Sequence, residues 1–575
     1  MRQFYEKPVS LRAMLDDSAE KYGEKVYLRS INKDDSFKET TFRGFREENL
    51  WFGTALFSLG LGRKTVAVLS ESREEWLQAY LVAIIGNGVI VPLDRELLTE
   101  QLANFVVRAG AEVLVFSGSY AEKVSSIADQ LSGVRAFIDM DASEDGEVDG
   151  RFISYKVLLE KGKELLERGV SDYMRVESDT SKLAAIIFTS GTTGTSKGVM
   201  LSEANILACI HASANMVDFT DRDEIVSVLP MHHTYETCCG ILTPLRIGAT
   251  VDFNNSLKYT LRNFKRFRPT GLVLVPLFVQ TIYKKILDEV RHGNKEKTFA
   301  MGVKLTKAAR QVHIDLRNLV FRQVKAAFGG RISKIICGGA PLDPELVDRF
   351  DEIGICLTQG YGITECAPLL AVNPYYAIKR DSVGITVIGC NVKIAECDDE
   401  GNAVFLPAGE TGEIVATGPN VMLGYFEDPE NTAAAFTKDG YFRTGDIGHM
   451  DEDGYIYITG RKKNVIVLNN GKNVFPEELE EYLHKLDFVL ECVVIGAEGE
   501  KDKNDVVLTA LIYPDYSRFE GMSQAEIQSY VKSAVQTINK RLPTFKQIRS
   551  IEIRKNEFEK TTSKKIIRYK VHERN

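Results

Sequence analysis

The sequence predicts an α/β protein: a large N-terminal domain of α/β layers with a small β-barrel subdomain, then a small α+β C-terminal domain. Three observations carry this. From residue 65 onward, short apolar runs alternate with stretches of helical period, the pattern of βαβ units with parallel strands. Near 385 the texture changes, and to 460 short strand-like runs are separated by turn pairs such as Gly418-Pro419, Asp439-Gly440 and Asp453-Gly454. After Gly460 helices and strands mix again. A chain of 575 residues is too long for one core, so at least two domains are expected.

In chain order, residues 11–23 read as an amphipathic helix. Thr65–Leu69 reads as a strand, 74–85 as a helix, 89–93 as a strand, 98–109 as a helix and 112–116 as a strand. Trp76 to Leu93 carries no charge over 18 positions, long enough for a bilayer. Gln78, Gly86-Asn87-Gly88 and Pro92 instead divide it into a buried helix, a turn and a strand. Residues 183–188 form a strand, and 201–207 are expected to start a helix directly after the loop that follows. Strands are expected at 224–229, 271–275 and 332–337, and a helix at 277–290. Residues 292–312 are highly charged and helical in pattern, with no chemistry assigned. Beyond 460 come a helix at 476–485, strands at 491–496 and 506–513, and a helix at 523–541.

Composition excludes several classes. Hydrophobic content of 44%, charge of 26% and a net charge of −8 fit a soluble globular protein and argue against a general nucleic-acid binder. Nine cysteines without a Cys-x-x-Cys pair, and a start without an apolar signal core, lead to the expectation of free thiols in a reducing cytoplasm. No transmembrane segment is expected; peripheral membrane contact through apolar surface is left open.

The chemistry concentrates at Thr189-Ser190-Gly191-Thr192-Thr193-Gly194-Thr195-Ser196-Lys197-Gly198-Val199. Three glycines let backbone N–H groups fold into a concave anion site, six hydroxyls add donors, and Lys197 adds a point charge. The spacing is not that of a P-loop, because Ser196 follows Gly191 by five residues and Gly198 follows Lys197. A Ser/Gly surface loop would share the composition but not the preceding buried strand.

This loop, Tyr361-Gly362-Ile363-Thr364-Glu365, Arg443-Thr444-Gly445-Asp446, Gly460-Arg461-Lys462-Lys463 and Lys565-Ile566-Ile567-Arg568 stand in the order seen in adenylate-forming enzymes. The sequence resembles that superfamily of acyl-CoA synthetases, luciferases and peptide-synthetase adenylation domains from about residue 10 to 570. Leu229-Pro230-Met231-His232-His233-Thr234-Tyr235-Glu236 and Gly338-Gly339-Ala340-Pro341-Leu342 are most similar to the long-chain fatty acid–CoA ligases.

The resemblance implies a carboxylate attacking the α-phosphate of ATP, release of pyrophosphate, and transfer of the acyl group to a thiol. That thiol is coenzyme A or, alternatively, an acyl carrier protein. Thr189, Ser190, Gly191, Thr192, Thr193, Gly194 and Lys197 would hold the outer phosphates, Thr364 would touch the α-phosphate, and Glu365 would hold Mg²⁺. One carboxylate plus phosphates suits Mg²⁺, which keeps several waters. Gly360, Tyr361 and Gly362 would face adenine from one side and Gly338, Gly339 and Ala340 from the other; a core tyrosine beside a turn is the plainer alternative. Asp446 would accept the ribose hydroxyls, or cap a turn, and Arg461 would contact ribose and phosphate. His233 would gate carboxylate entry at the acyl pocket, lined from 222–280 and 337–370; His232 receives no role.

Lys565 would reach the reacting phosphate from the small domain and neutralise charge that grows there. It stands among Lys560, Lys564 and Arg568, and Lys564 occupies a position where the superfamily carries glycine. Lys463 would be a hinge about which a mobile lid, residues 461–575, moves against residues 1–460. Fatty acid, ATP, Mg²⁺ and coenzyme A are thus the expected partners.

Overall fold

A computed structural model describes residues 4–144, 150–189, 196–254, 259–469, 472–498, 506–560 and 566–571. Their contacts fall into two compact units: residues up to 391 with 416–434, and residues 392–415 with those from 435 onward.

The first unit holds two sheets. In one, Val26–Ile31, Thr250–Phe253, Glu224–Ser227, Gly271–Leu274, Lys334–Cys337 and Cys356–Gly362 run parallel in that spatial order. Antiparallel strands follow beyond the last of these, at Leu369–Val372 and Gly384–Thr386. Buried on both faces, the parallel strands read as continuous apolar runs. In the other sheet Leu183–Thr189 joins the parallel strands Val89–Pro92, Thr65–Leu69 and Val113–Phe116. Leu28, Val226, Leu272, Ile335 and Leu357 are nearly inaccessible, as are Ala67, Val91, Leu114 and Phe137.

The uncharged stretch at 76–93 folds as its breakers require. Glu74–Ile85 is a helix buried on every side, Asn87 turns left-handed at φ +57°, and Val89–Pro92 is a strand. A Cβ at Gly88 would meet the Lys64 carbonyl at 2.4 Å, so only glycine fits that corner. No helix among the described residues is long and apolar enough to cross a membrane. All nine cysteines are free.

One expectation fails. Residues 197–202 form a second strand, Lys197–Ser202, antiparallel to Leu183–Thr189, and the helix begins only at Glu203. Ser202 caps that helix in a box with Asn205. The hairpin register Thr189↔Lys197 brings the two ends of the glycine loop together; Ser190, Gly191, Thr192, Thr193 and Gly194 lie outside the described residues.

In the second unit, Ala403–Phe405, Asn391–Cys397, Gly412–Thr417, Phe442–Met450 and Tyr455–Arg461 neighbour one another in that order and make the small β subdomain. The α+β end has a hairpin, Val489–Glu498 with Val506–Pro514, joined in parallel by Ser550–Ile553. Helices Pro476–His484 and Gln524–Asn539 bury Leu479, Leu483, Val531 and Val535 against it.

Candidate active site

Lys197 leaves the first residue of its strand and reaches Asn431, Nζ to Oδ1 at 2.9 Å, while lying 4.6 Å over the ring of Tyr425. Tyr425 sits on Gly424–Tyr425, paired antiparallel with Lys197–Ser202 at Tyr425↔Val199. Its hydroxyl donates to Glu365 Oε1 at 3.0 Å. One tyrosine therefore ties the lysine of the glycine loop to the carboxylate of the Tyr361–Glu365 motif. Burial, and then the Glu365 charge, push the Tyr425 phenol up, so it remains a donor at any working pH.

Asparagines hold this arrangement. Asn205 Nδ2 donates to the carbonyls of Pro419 and Val421, and Asn420 Nδ2 to those of Cys366 and Leu369. Met422 N–H donates to Glu365 O at 2.8 Å. The 418–426 segment is thereby stitched to both motifs. Tyr425 and Asn431 were not singled out in the sequence; they fall within the run of short strands and turns read from 385 to 460. A tyrosine flanked by apolar residues just before a charged turn was the available signal.

Glu365 lies on the 3₁₀ turn Thr364–Cys366. It is half-buried and pairs with no lysine or arginine among the described residues. Among the described residues, no group of three or more His, Cys, Asp or Glu residues could hold a metal ion. A single carboxylate fits Mg²⁺ arriving with its own phosphate and water ligands.

Behind these motifs lies an apolar pocket. Ser213, Val217 and Phe219 line it from the end of helix Glu203–Met216 onward, and Tyr235 and Cys239 from the π-helical Tyr235–Leu242. The floor is made by Val273 and Ile336 from parallel strands, with Pro368, Leu369 and Val372 opposite. Gly338, Gly339 and Gly360 to Gly362, with buried Tyr361, form one part of the same wall. Register Cys337↔Gln359 places the Gly338-Gly339-Ala340 bend beside Tyr361. A Cβ on Gly338 would stand 3.2 Å from the Tyr235 ring, and one on Gly362 only 1.7 Å from the Pro368 carbonyl. Both glycines are set by close approach. Tyr235 donates to the Ile336 carbonyl at 3.2 Å, fixing the ring across the strand ends.

His232 and His233 stack at 4.2 Å between ring centroids just before that π-helix. Burial and nearby Arg95 push His232 down to about 3, so it is neutral; its Nε2 lies 3.6 Å from Asp94. Glu236 is fully buried, accepts a hydrogen bond from Ser227, and is pushed up to about 8 by burial.

In the second unit, Asp446 is buried and pairs with Arg461, Nε to Oδ1 at 2.7 Å, across the register Asp446↔Arg461. Thr444 Oγ1 accepts from the Asp446 N–H at 3.1 Å. Arg443 and Lys462 both hold Glu413 at 3.1 Å. Lys463 is exposed on the turn Lys462–Asn464. Arg568 pairs with Glu480, and Lys560 with Glu491; Lys565 lies outside the described residues.

Residues 15–426 match the AMP-binding enzyme family, and residues 463–574 its C-terminal domain. The chain belongs to the AMP-binding enzyme family. A long-chain-fatty-acid–CoA ligase of Mycobacterium bovis is 28% identical over 487 residues, 82% of this chain and 76% of that one. A chloroplastic long-chain-fatty-acid–[acyl-carrier-protein] ligase of Arabidopsis thaliana is 27% identical, over 90% of this chain and 78% of that one. The solved structure of an anthranilate–CoA ligase in complex with anthranoyl-AMP has a TM-score of 0.77 at 20% identity, covering 100% of this chain and 98% of that one. The expected α/β architecture, with a large N-terminal and a small C-terminal domain, is borne out.

Proposed function

We propose that this AMP-binding enzyme activates a long-chain fatty acid with MgATP and passes the acyl group to coenzyme A. The observation that carries the reading is a single wall. Tyr361 and the two glycine bends that would receive adenine also close an apolar pocket, and Glu365, four residues after Tyr361, is tied through Tyr425 to Lys197.

In this reading a fatty acid lies in the pocket with its carboxylate at the Tyr361 end. A carboxylate oxygen attacks the α-phosphorus, the bond to the β-phosphate oxygen breaks, and pyrophosphate leaves. Lys197, with Thr189 and the loop through Gly194, holds the departing phosphates, and Thr364 holds the α-phosphate. Glu365 is the carboxylate for Mg²⁺, which supplies charge neutralisation when bound. Asp446 and Arg461 take the ribose. Lys565 neutralises the reacting phosphate, and His233 guards the carboxylate entrance. A thiol sulfur then attacks the acyl carbon and AMP leaves. Motion about Lys463 between residues 1–460 and 461–575 exchanges the two chemistries.

A carrier-protein thiol is the second reading, favoured by the similarity to an acyl-carrier-protein ligase. Incubation with ATP, Mg²⁺ and palmitate, with either coenzyme A or a phosphopantetheinylated carrier protein, separates them. Acyl-CoA by mass spectrometry is expected; acylated carrier protein without acyl-CoA would reverse the choice, and neither product would sink both.

A further inference from the structure

His232 takes no part in the reading above, although it stands beside His233 in the turn that follows the strand Glu224–Ser227. The backbone of this turn is well fixed. His233 N–H donates to the Pro230 carbonyl at 3.1 Å, Thr237 N–H donates to the His233 carbonyl at 3.1 Å, and the Thr237 hydroxyl donates to the Met231 carbonyl. Backbone bonds place a Cα but do not set a ring's side-chain torsions. The His232 ring meets that of His233 directly, with centroids 4.2 Å apart and planes tilted by 46°.

The other sheet reaches the same turn. Thr65–Leu69, Val89–Pro92 and Leu183–Thr189 are parallel neighbours, so Ser72, Asp94 and the glycine loop all leave one edge of that sheet. From this edge Ser72 Oγ donates to the Leu229 carbonyl at 3.4 Å, and Asp94 Oδ2 stands 3.6 Å from His232 Nε2. The carboxyl ends of parallel strands are where open α/β sheets place their ligands. The His232 side chain is only 10% exposed, and its Nε2 makes no hydrogen bond among the described residues. A buried ring N–H without a partner is costly, and here a carboxylate lies just out of reach. Contacts of this kind are often long before substrate enters and tighten afterwards.

We infer that His232 and Asp94 are positioning residues: Asp94 holds the His232 ring, and that ring sets the face against which His233 turns at the carboxylate entrance. The inference rests on the proposed ligase reading and deepens it, because it ties the acid entrance to the sheet edge that carries the glycine loop. Neither residue acts on the reacting atoms.

The test is a double-mutant cycle, read by palmitate-dependent exchange of labelled pyrophosphate into ATP. His232→Ala should raise KM for palmitate about tenfold and leave KM for ATP unchanged. Asp94→Ala should raise KM for palmitate about threefold alone and not at all on top of His232→Ala, since Asp94 works through that ring. His232→Phe keeps a ring against His233 but offers Asp94 no N–H, so it should match Asp94→Ala and take the place of His232→Ala in the cycle if the latter does not fold. Unchanged thermal melts confirm the fold of each variant. An unmoved KM for palmitate, additive losses in the double variant, or a joint rise in KM for both substrates overturns the inference and leaves the ligase reading standing. A wild-type protein that exchanges with no acid removes both.

Discussion

The Lys197–Tyr425–Glu365 cluster and the pocket behind Tyr361 are neighbours built on opposite principles. The cluster is polar, and each group is fixed by a directed contact: a cation over a ring at 4.6 Å, a phenol on a carboxylate at 3.0 Å. The pocket has almost no directed contacts and is shaped by van der Waals surfaces from several elements. Directed contacts fix which chemistry can occur, because electrostatic stabilisation works only when donors are in place beforehand. Packing surfaces fix which acid enters, because each methylene is worth only about 0.8 kcal/mol and selectivity accumulates gradually. Changes in the cluster should therefore alter rate, and changes in the pocket should alter preference.

The largest break is expected at Lys565. Lys565→Ala should slow acyl-AMP formation by about 10²- to 10³-fold while leaving thioester formation from supplied acyl-AMP largely intact. Equal loss in both half-reactions, measured by quenched flow, would move this residue out of the adenylation step. Glu365→Gln should follow, with kcat down about 10²-fold and the Mg²⁺ requirement shifted to higher concentration; an unchanged metal titration would contradict its role.

Tyr425→Phe removes one hydrogen bond to a charged group, worth about 1.5–3 kcal/mol. It should lower kcat/KM for ATP about tenfold and leave the order of preference among acids intact. Ser213→Phe, in the pocket, should do the reverse. The preferred chain should shorten by about two to four carbons, in line with the added ring volume and the per-methylene value, with KM for ATP unchanged. A changed ATP constant would show that pocket and cluster are not separable.

The smallest effect tests the buried carboxyl beside the pocket. Glu236 is pushed up to about 8, so the folded protein holds its proton where the unfolded chain, near 4.5, has released it. The folded state binds more protons between those values, so stability falls as pH rises from about 4.5 to about 8 and levels off above. Glu236→Gln should remove that slope and raise the melting temperature at pH 8 by a few degrees relative to pH 5. Parallel pH–melting curves for the two proteins would contradict it.

Chemistry was more legible in the sequence than shape. The proposed phosphate- and nucleotide-binding groups come as short local motifs, so Lys197, Glu365, Asp446 and Arg461 could be put forward directly, and the parallel sheets follow the alternation from residue 65. What was missed depends on partners distant in sequence. Lys197–Ser202 is a strand because it pairs with Leu183–Thr189 and with Gly424–Tyr425, more than 200 residues later. Tyr425 and Asn431 matter only through that same pairing. Ser213 and Val217 were not singled out; they stand near and just past the end of helix Glu203–Met216, and only the packed structure places them along the pocket. The segment at 292–312 was legible as helical and charged, but which apolar side chains face outward follows from the packing of Phe299 and Val303.

The central claim is that an ATP-handling cluster and an apolar pocket serve one substrate carboxylate. Exchange of labelled pyrophosphate into ATP, measured over a series of saturated acids from butyrate to stearate without any thiol, tests it most directly. The account predicts acid-dependent exchange that strengthens with chain length and vanishes in Lys197→Ala. No exchange with any acid, or exchange that is fastest with butyrate and falls steadily as the chain grows, would contradict it.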